Sequence, residues 1–347
     1  MLMKDFYLSK LKTESVVTSD LFHAIQANLL SPAVLFFLLG VFATLSKSDL
    51  KFPEPLYLGL TIYLLVAIGF KGGVAISRAG IAAVWLPALL AIVLGTLIPL
   101  WSYPVLRFVG RLRPVDAAAI AAHYGSVSAV TFIAATNFLK SLDQPYEEFA
   151  SAFLAVMESP AIIVGVVLGK LSIQKPGESF GPTLKVALHE ACLGRSVILL
   201  VGALLIGFLS GERGYEATAG FFVAPFQGVL ALFLLEMGMV AARRFGDLRK
   251  VGAFLVAFGV MMPILHGALG VVLGQFAGLS LGGATLMGVL AASASYIAAP
   301  AAIRLSLPDA NPTLYLTSAL AITFPFNVTI GLPIYFEFAK WQFGGSP

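Results

Sequence analysis

The sequence predicts an all-α polytopic membrane protein: ten transmembrane helices in a five-plus-five inverted repeat, with two discontinuous helices that cross near the membrane midplane. Three observations support this prediction. Only 12% of the 347 residues are charged and 59% are hydrophobic, whereas soluble domains contain about 25% charged residues. Apolar runs long enough to cross a bilayer, about 20 residues each, recur along the chain. The two halves of the chain resemble each other, and a serine-rich stretch interrupts one apolar run in each half.

Ten apolar spans, five on either side of a polar linker, organise the chain. Their expected ranges are 30–46, 55–72, 82–106, 114–139, 148–171, 187–209, 218–241, 250–276, 282–304 and 312–338. Residues 1–20 are polar and mixed in charge, without the apolar core of a signal peptide, and are expected to be an N-terminal extension. Residues 172–186, rich in glycine and proline, are expected to form a cytoplasmic linker. A first five-helix repeat is therefore expected at 21–171 and a second at 187–347.

The two halves match at a nearly constant spacing. Three pairs of corresponding positions lie 165 to 167 residues apart. They are Gly72 and Gly238, Ser126 and Ser293, and Pro160 and Pro325. Because each half contains an odd number of spans, the second copy must enter the membrane from the opposite side. This is an inverted repeat, the usual construction of a secondary transporter.

Lysine and arginine residues predict the orientation. With ten spans, eight of these 22 residues lie on the side of the termini and fourteen lie on the other side. Cytoplasmic loops carry the excess of positive charge, so both termini are expected outside. The clusters Arg107–Arg113 and Arg243–Lys250 carry most of the signal. They are interpreted as topology anchors, with a cytoplasmic partner surface as the alternative.

The serine-rich stretches are the candidate substrate site. If both helices break there, two half-helix N-termini meet, and their free N–H groups and dipoles form an anion site. The predicted anion-binding residues are Gly125, Ser126, Val127, Ser128, Ser293, Ala294 and Ser295. The alternative interpretation is packing of small residues, with each serine bonded to its own helix.

Polar groups near the breaks are candidate sodium ligands, because hydroxyls and unwound carbonyls supply hard oxygen atoms. Glu158 stands in the middle of its span, where an ionisable residue is costly and is a functional candidate. It could balance a cation or a proton, or be a hydrogen-bonded structural residue. The predicted sodium ligands are Ser128, Thr131, Glu158, Ser295 and Asn327.

Three further ionisable residues lie within spans. His123, one turn before the first break, and His266, close to Pro263, are interpreted as proton-relay or gating groups or as packing histidines. Glu236 is expected to pair with Arg243 at the cytoplasmic surface.

Several function classes are disfavoured. The sequence contains no phosphate-binding loop, HExxH motif or dinucleotide fingerprint, so this chain is not expected to use ATP. Cys192 is the only cysteine, which excludes a disulfide framework and a cysteine-rich metal site. No cofactor is expected, sodium being a co-transported ion. The net charge of +4 is attributed to loops at the lipid bilayer, and nucleic acid is not an expected partner.

A series of short motifs runs from about Leu21 to Trp341. In chain order they are Ser31-Pro32, Lys71-Gly72-Gly73-Val74-Ala75-Ile76, Gly125-Ser126-Val127-Ser128, Met237-Gly238-Met239, Leu248-Arg249-Lys250, Pro263-Ile264-Leu265-His266-Gly267, Ser280-Leu281-Gly282-Gly283, Ala291-Ala292-Ser293-Ala294-Ser295 and Ala310-Asn311-Pro312. Each is weak alone and specific in this order. In these motifs the chain resembles the sodium-dependent bicarbonate transporter family of cyanobacteria and its wider bacterial relatives.

The resemblance implies an architecture and a transport reaction. It implies a core domain that holds the broken helices, a gate domain that mediates contacts in a homotrimer, and rocking or elevator-like alternating access. It implies co-transport of sodium and bicarbonate, with the anion held between the crossing helices. It also implies that a small cytosolic PII-like regulatory protein can bind the inner face, with which the basic inner loops are compatible.

The second serine-rich stretch departs from the family pattern. Tyr296 stands where the cyanobacterial members carry Asp, and Ala298-Ala299-Pro300 replaces Gly-Pro-Pro. Loss of that acid implies a different sodium geometry, a cation balanced by Glu158, or another small anion as substrate. Glu158 falls where the family often carries an acid.

Sodium-coupled uptake of bicarbonate is therefore the leading functional hypothesis, and three alternatives stay open. The nearest is a sodium symporter for another small organic anion, although no arginine lies in the middle of a span near the breaks. A distant alternative is an intramembrane serine hydrolase that pairs Ser126 or Ser128 with a histidine, which requires a hydrogen bond between hydroxyl and imidazole. The last is a passive channel.

Overall fold

The computed structural model describes residues 22–173 and 192–344, together with residues 185, 188 and 189. Within these residues the secondary structure is helical, joined by turns and short extended segments, and no strand occurs. The predicted all-α class is confirmed. The expected N-terminal extension, 1–20, lies outside the described residues, and so does the expected linker, 172–186, apart from residues 172, 173 and 185.

In the described part of the first half there are seven helices, of which α1 precedes the first expected span and the other six correspond to the first five expected spans. They are α1 (Phe22–Leu29), α2 (Pro32–Leu45), α3 (Glu54–Ala79), α4 (Ile81–Pro104), α5 (Pro114–Gly125), α6 (Ala129–Ser141) and α7 (Ser151–Ile173). The axes of α1 and α2 form an angle of 66°. A π-helical turn, Val105–Val109, continues α4, and a 3-10 turn, Glu148–Ala150, precedes α7.

In the second half, the residues from 195 onward that the structure describes form six helices. They are α8 (Arg195–Phe222), α9 (Phe226–Arg244), α10 (Leu248–Phe276), α11 (Leu281–Ala292), α12 (Ala298–Ser306) and α13 (Pro312–Gln342). Two π-helical segments, Ser318–Thr323 and Asn327–Gly331, lie within α13.

Short local signals mark where several helices begin. Pro32 and Pro312 occupy the first turns of α2 and α13, where the missing N–H has no intrahelical role. The Ser31 hydroxyl accepts a hydrogen bond from the Val34 N–H at 3.4 Å, and Ser280 caps α11 in the same way. Each cap satisfies a donor that the helix cannot.

Within the described residues, seven helical stretches are long and apolar enough to cross a membrane, or eight if α1 and α2 together form one span. Ten spans were expected, so the count on this basis is lower. Two features account for the difference between eight and ten. Helices α9 and α10, joined by a 3-10 turn, Phe245–Asp247, count as one stretch, Phe226–Phe276, although the backbone bends at Gly252 with φ 81° and ψ 161°. Helices α11 and α12, at the ninth expected span, are separate and short.

The sixth and seventh helices differ in extent from the expected spans 187–209 and 218–241. Helix α8 continues to Phe222, and α9 begins at Phe226. The polar residues between the two expected spans are helical. The backbone bends at Gly211, with φ 55° and ψ −146°, and the helix then resumes. Glycine reaches this positive φ without a β-carbon clash.

The helices form two bundles. In the first bundle (α2, α3, α8 and α9), α2 packs on α9 and α3 packs on α8. In the second bundle (α4 to α7 and α10 to α13), α4, α5 and α7 pack on one another, as do α10, α11 and α13. Both interrupted helix pairs, α5–α6 and α11–α12, belong to the second bundle.

Large apolar side chains lie on the outer faces of the bundles. Trp85 and Leu89 on α4 and Leu205 and Leu209 on α8 are among those exposed. Such faces suit lipid rather than water. Together with the long apolar helices, they identify a multi-pass membrane protein.

Candidate functional site

The first serine-rich stretch breaks the chain between α5 and α6. Helix α5 ends at Gly125 and α6 begins at Ala129, and the backbone of Ser126 and Ser128 between them is extended. The Ser128 hydroxyl accepts a hydrogen bond from the Thr131 N–H at 3.2 Å. Ser128 is thus the N-cap of α6, and the new helix starts inside the protein.

The second serine-rich stretch makes an equivalent break. Helix α11 ends at Ala292, Ser293 is extended, and α12 begins at Ala298. The Ser295 hydroxyl accepts a hydrogen bond from the Ala299 N–H at 3.2 Å. A serine therefore bonds to the first turn of the resumed helix at both breaks.

The two stretches contact each other directly. The Ser128 N–H donates to the Ser293 hydroxyl at 2.9 Å, and the Ser295 N–H donates to the His123 carbonyl at 2.8 Å. These bonds satisfy backbone donors that the interrupted helices leave free, which a membrane interior requires. The N-termini of α6 and α12 consequently approach one point.

A small cavity lies at this crossing. It is lined by Leu65, Val127, Ser128, Ala129, Leu154, Glu158, Ser196, Ser295, Tyr296 and Ile297. It leaves ≈ 20 Å³ for the centre of a water-sized sphere, where about 10–15 Å³ admits one water. Ala129 and Ile297 bring the N-terminal ends of α6 and α12 to the cavity, so the positive ends of two helix dipoles face it. The cavity suits a small anion or a small hydrated ion.

Glu158 supplies the only carboxylate among the residues that line this cavity. It is 5% exposed, and its Oε1 accepts a hydrogen bond from the Ser196 hydroxyl at 3.2 Å. No lysine, arginine or histidine in the described part of the chain forms an ion pair with it. A buried carboxylate in this situation requires a proton or a bound cation.

Other predicted anion-binding residues are buried at the crossing but do not line the cavity. A β-carbon at Gly125 would overlap Pro99, so glycine permits close packing there. The Ser126 hydroxyl is buried without a hydrogen-bond partner. The Ser293 hydroxyl donates to the Leu290 carbonyl at 2.8 Å while it accepts from Ser128, and Ala294 is buried.

Two predicted sodium ligands also lie beside the cavity rather than on its wall. Thr131 is buried in the first turn of α6. The Asn327 amide nitrogen donates to the Ala292 carbonyl at 2.9 Å, and its oxygen accepts from the Tyr335 hydroxyl at 2.8 Å. Asn327 therefore ties α13 to the last turn of α11 before the break.

The two histidines have separate surroundings. His123 Nδ1 lies 2.6 Å from the Ala119 carbonyl, and its ring stacks on Tyr315 with centroids 4.5 Å apart. His266 Nε2 accepts a hydrogen bond from the Trp101 indole at 2.8 Å. Neither forms the serine–imidazole pair that a hydrolase would need.

Two polar residues of the cavity were not among the predicted site residues: Ser196, which the sequence analysis did not consider, and Tyr296, which it named only as a departure from the family pattern. Ser196 lies 165 positions after Ser31, so the repeat spacing could have singled it out. Tyr296 packs edge-on against Phe324 with ring centroids 5.3 Å apart. Its hydroxyl lies close to Ser128, without the alignment of a full hydrogen bond. Its bulk limits the size of the cavity.

A transition-metal site is not formed by the described residues, which include no cluster of three or more histidine, cysteine, aspartate or glutamate side chains. The oxygen atoms at the cavity are hydroxyls, carbonyls and one carboxylate, the donor set suited to sodium in broken-helix transporters. Glu236 pairs with Arg243 at 3.8 Å, which confirms the expected pairing of these two residues.

The profile of the Na+-dependent bicarbonate transporter superfamily matches residues 32–340, nearly the whole chain. No curated protein matches the chain.

Proposed function

Because the chain belongs to the Na+-dependent bicarbonate transporter superfamily, we propose that it couples bicarbonate uptake to the sodium gradient by alternating access. It is a membrane transporter and not an enzyme. The observation that carries the proposal is the meeting of the N-terminal ends of α6 and α12 at a small cavity that also contains a buried carboxylate.

The anion is held by the helix ends. First-turn N–H groups of a helix lack intrahelical acceptors and point outward along the axis. Bicarbonate has three oxygens to accept hydrogen bonds from these groups, and Ser128 and Ser295 add hydroxyls on the cavity wall. Ser126, Ser293 and the small residues Gly125, Val127 and Ala294 shape the crossing around it. The size of the cavity favours bicarbonate over a larger organic anion.

Sodium is held by the carboxylate of Glu158 and the hydroxyls of Ser128 and Ser295, which line the same cavity. Placing a cation beside Glu158 offsets the cost of burying its charge and attracts the anion to the neighbouring helix ends. Thr131 and Asn327 support this site from behind, Thr131 in the first turn of α6 and Asn327 through the Ala292 carbonyl.

The ten crossings form a five-plus-five inverted repeat in this proposal, and the packing supports it. Ser128 contacts Ser293, and Trp101 contacts His266. Each contact joins residues 165 positions apart, the spacing of the repeat. Equivalent residues touch each other only near the axis that relates the two copies.

Alternating access follows from movement between the bundles. Leu65 on α3 and Ser196 on α8 belong to the first bundle, and the other residues of the cavity wall belong to the second. Rocking or elevator-like displacement of the second bundle would open the cavity to either side in turn. The first bundle would then act as the gate domain and mediate contacts in a homotrimer.

The protein is placed in the bacterial inner membrane with both termini outside. The basic segments Arg107–Arg113 and Arg243–Lys250 then face the cytoplasm. A PII-like regulatory protein would dock on that inner face.

Uptake by reconstituted protein tests the proposal. Liposomes should accumulate labelled bicarbonate when sodium is present outside only, and should not when potassium replaces sodium. The assay is run at mildly alkaline pH, with protein-free liposomes to measure diffusion of CO2. Sodium-independent uptake, or none, would contradict the proposal, and equilibration without accumulation would indicate a passive channel. Stronger competition by formate or acetate than by unlabelled bicarbonate would assign an organic anion.

A further inference from the structure

A second cavity lies near the C-terminal end of α6. It leaves ≈ 40 Å³ for the centre of a water-sized sphere, twice the room at the helix crossing. Its wall consists of Ile68, Lys71, Phe132, Thr136, Lys140, Tyr146, Glu148, Ser151 and Phe226. Two lysines and three hydroxyl groups line this half-open cavity. The Thr136 and Ser151 hydroxyls donate to the Ile133 and Glu148 carbonyls, so the two lysines are the main donors that the wall offers to an anion.

Neither lysine of this cavity is neutralised by an ion pair with a described residue. Lys71 Nζ lies 5.1 Å from the centroid of the Phe226 ring, a cation–π contact that holds the ammonium in place without removing its charge. Lys140 lies at the last turn of α6. Two cations left unpaired in a confined space attract an anion.

Glu148 is the one acidic residue on the wall of the second cavity, and it lies 3.6 Å from Arg78. Arg78 is shared with Glu212, which lies closer at 2.6 Å, so it offsets the charge of Glu148 only in part. Glu147, which accepts hydrogen bonds from the Ser280 N–H and hydroxyl at 2.7 and 2.9 Å, and Asp143, in the adjoining groove, do not line the cavity. The wall therefore carries two lysines against one glutamate, and positive charge is in excess there.

Tyr146 adds a neutral donor. Burial, with a smaller contribution from the negative charge of Glu148, raises the pKa of the Tyr146 hydroxyl to about 12. The phenol therefore stays protonated at physiological pH and does not cancel a lysine charge.

The second cavity adjoins an open surface groove, with which it shares Lys140, Tyr146 and Glu148. Helix α6 presents Ser128, Phe132, Thr136 and Lys140 at intervals of four residues, which places them on one helix face that runs from the first cavity to the second. Helices α3 and α7 likewise contribute residues to both cavities. On α3 and α6 the buried residues Ile68 and Phe132, which line the second cavity, lie about one turn from Leu65 and Ser128 of the first.

We propose that the cavity containing Lys71 and Lys140 is a second anion-binding site, a vestibule that captures a small anion such as bicarbonate and passes it to the helix crossing when Ile68 and Phe132 separate. Its role in transport rests on the proposed function, whereas its affinity for anions does not. The lysines therefore raise the local anion concentration and do not form part of the central site.

Cysteine labelling tests the anion site independently of transport. Thr136→Cys, in a Cys192→Ser background, is reacted with anionic sulfonatoethyl and cationic trimethylammonioethyl methanethiosulfonates. Ser48→Cys, at an exposed position, is the matched control. The ratio of anionic to cationic rate should be about three- to tenfold higher at residue 136 than at residue 48. When Lys71→Gln and Lys140→Gln are combined, the ratio at residue 136 should fall to the ratio at residue 48. When Lys71→Arg and Lys140→Arg are combined, the higher ratio should remain. Equal ratios at the two positions would overturn the proposal, and so would a preference that survives removal of both lysines.

Transport kinetics test the vestibule's role. Lys71→Gln and Lys140→Gln together should raise the KM for bicarbonate about three- to tenfold at low ionic strength, with little change in kcat. Lys51→Gln, an exposed lysine ahead of α3, should leave both unchanged. An unchanged KM in the double variant would overturn this role. If the wild-type protein takes up no bicarbonate, the proposed function fails, and the labelling ratio still decides whether the anion site exists.

Discussion

Glu158 combines burial, a single hydroxyl donor and a position on the wall of the cavity at the helix crossing. An ionised carboxylate in such surroundings costs several kcal/mol unless a cation or proton accompanies it. The Ser196 hydroxyl contributes one hydrogen bond, which is insufficient to replace the water that the carboxylate loses. Glu158 is therefore the residue whose replacement tests sodium binding most directly.

Replacement of Glu158 should uncouple the protein from sodium. Wild-type protein should show a thermal unfolding midpoint that rises with sodium chloride relative to choline chloride, because a ligand that binds only the folded state stabilises it. Glu158→Gln should lose most of this rise, and bicarbonate should no longer enhance it. Glu216→Gln, at an exposed position, should behave as wild type. A full sodium response in Glu158→Gln would remove Glu158 from the sodium site.

Ser295 should matter for the anion. Ser295→Ala removes a hydroxyl from the cavity wall and a hydrogen bond to the Ala299 N–H at the start of α12. We expect a rise in the KM for bicarbonate of roughly ten- to a hundredfold, since one hydrogen bond to a charged group contributes about 1.5–3 kcal/mol and about 1.4 kcal/mol is tenfold. Ser210→Ala, whose exposed hydroxyl bonds to the Ile206 carbonyl, is the control. A KM equal to that of wild type would show that Ser295 is structural.

The predicted site residues divide according to their hydrogen-bond partners. Val127, Ser128, Glu158 and Ser295 line the cavity, whereas Asn327 does not. Residue type and spacing could identify these side chains as candidates. Residue type and spacing could not show that the Asn327 side-chain amide already bonds to Ala292 and Tyr335, because Ala292 lies on another helix and Tyr335 lies two turns further along α13.

At the scale of the elements, glycines determine how closely the helices of the first bundle pack. A β-carbon at Gly238 would overlap the Phe37 carbonyl on α2, and one at Gly73 would overlap the Leu204 carbonyl on α8. Phe37 and Leu204 are 167 positions apart, and Gly73 and Gly238 are 165 apart. Each half therefore supplies one glycine that makes the same close approach to a carbonyl of the other half.

Substitution of these glycines should destabilise the protein. Gly238→Ala and Gly73→Ala force a methyl group against a backbone carbonyl, and we expect each to cost about 1–3 kcal/mol, seen as a lower thermal unfolding midpoint. The matched controls are Gly228→Ala on α9 and Gly59→Ala on α3, where an added β-carbon meets nothing within 4 Å. They should be neutral or stabilising by up to about 1 kcal/mol. Similar losses in the two test variants are expected from the repeat, and a loss in only one would count against it.

Helix bounds were largely predictable from the chain because their signals are local. Proline at the first turn and serine at the cap act over three or four residues, and both breaks occur at the predicted serines. The end of α8 was not predictable. Its polar turn after Gly211 resembles a loop in composition, and Arg78 stabilises it as helix through hydrogen bonds to Glu212 at 2.6 and 2.8 Å.

At the scale of the whole molecule, the boundary between the two bundles passes through the central cavity. Gly72 on α3 and Ser151 on α7 meet across this boundary, and a β-carbon at Gly72 would lie 3.1 Å from that of Ser151. Transport by alternating access requires this contact to change.

A cross-link at this contact should arrest transport. Gly72→Cys with Ser151→Cys, in a Cys192→Ser background, places two β-carbons close to the disulfide spacing of about 3.8 Å. Oxidation should lower sodium-driven bicarbonate uptake at least about tenfold, because it joins the bundles, and dithiothreitol should restore it. Ser151→Cys alone should be insensitive to oxidant. Undiminished uptake by the cross-linked protein would argue against movement between the bundles.

The sequence by itself determined the all-α membrane class, the approximate helix bounds and the positions of both breaks. These properties depend on apolar run length, proline and serine caps, which act locally. Only the tertiary structure decided that Ser128 meets Ser293, that Ser196 bonds to Glu158, and that two unpaired lysines share a second cavity. Such contacts join residues far apart in the chain, and they depend on how helices approach one another. In a membrane interior every backbone polar group must find a partner within the protein, so the packing determines which of the candidate residues remain free to bind a substrate.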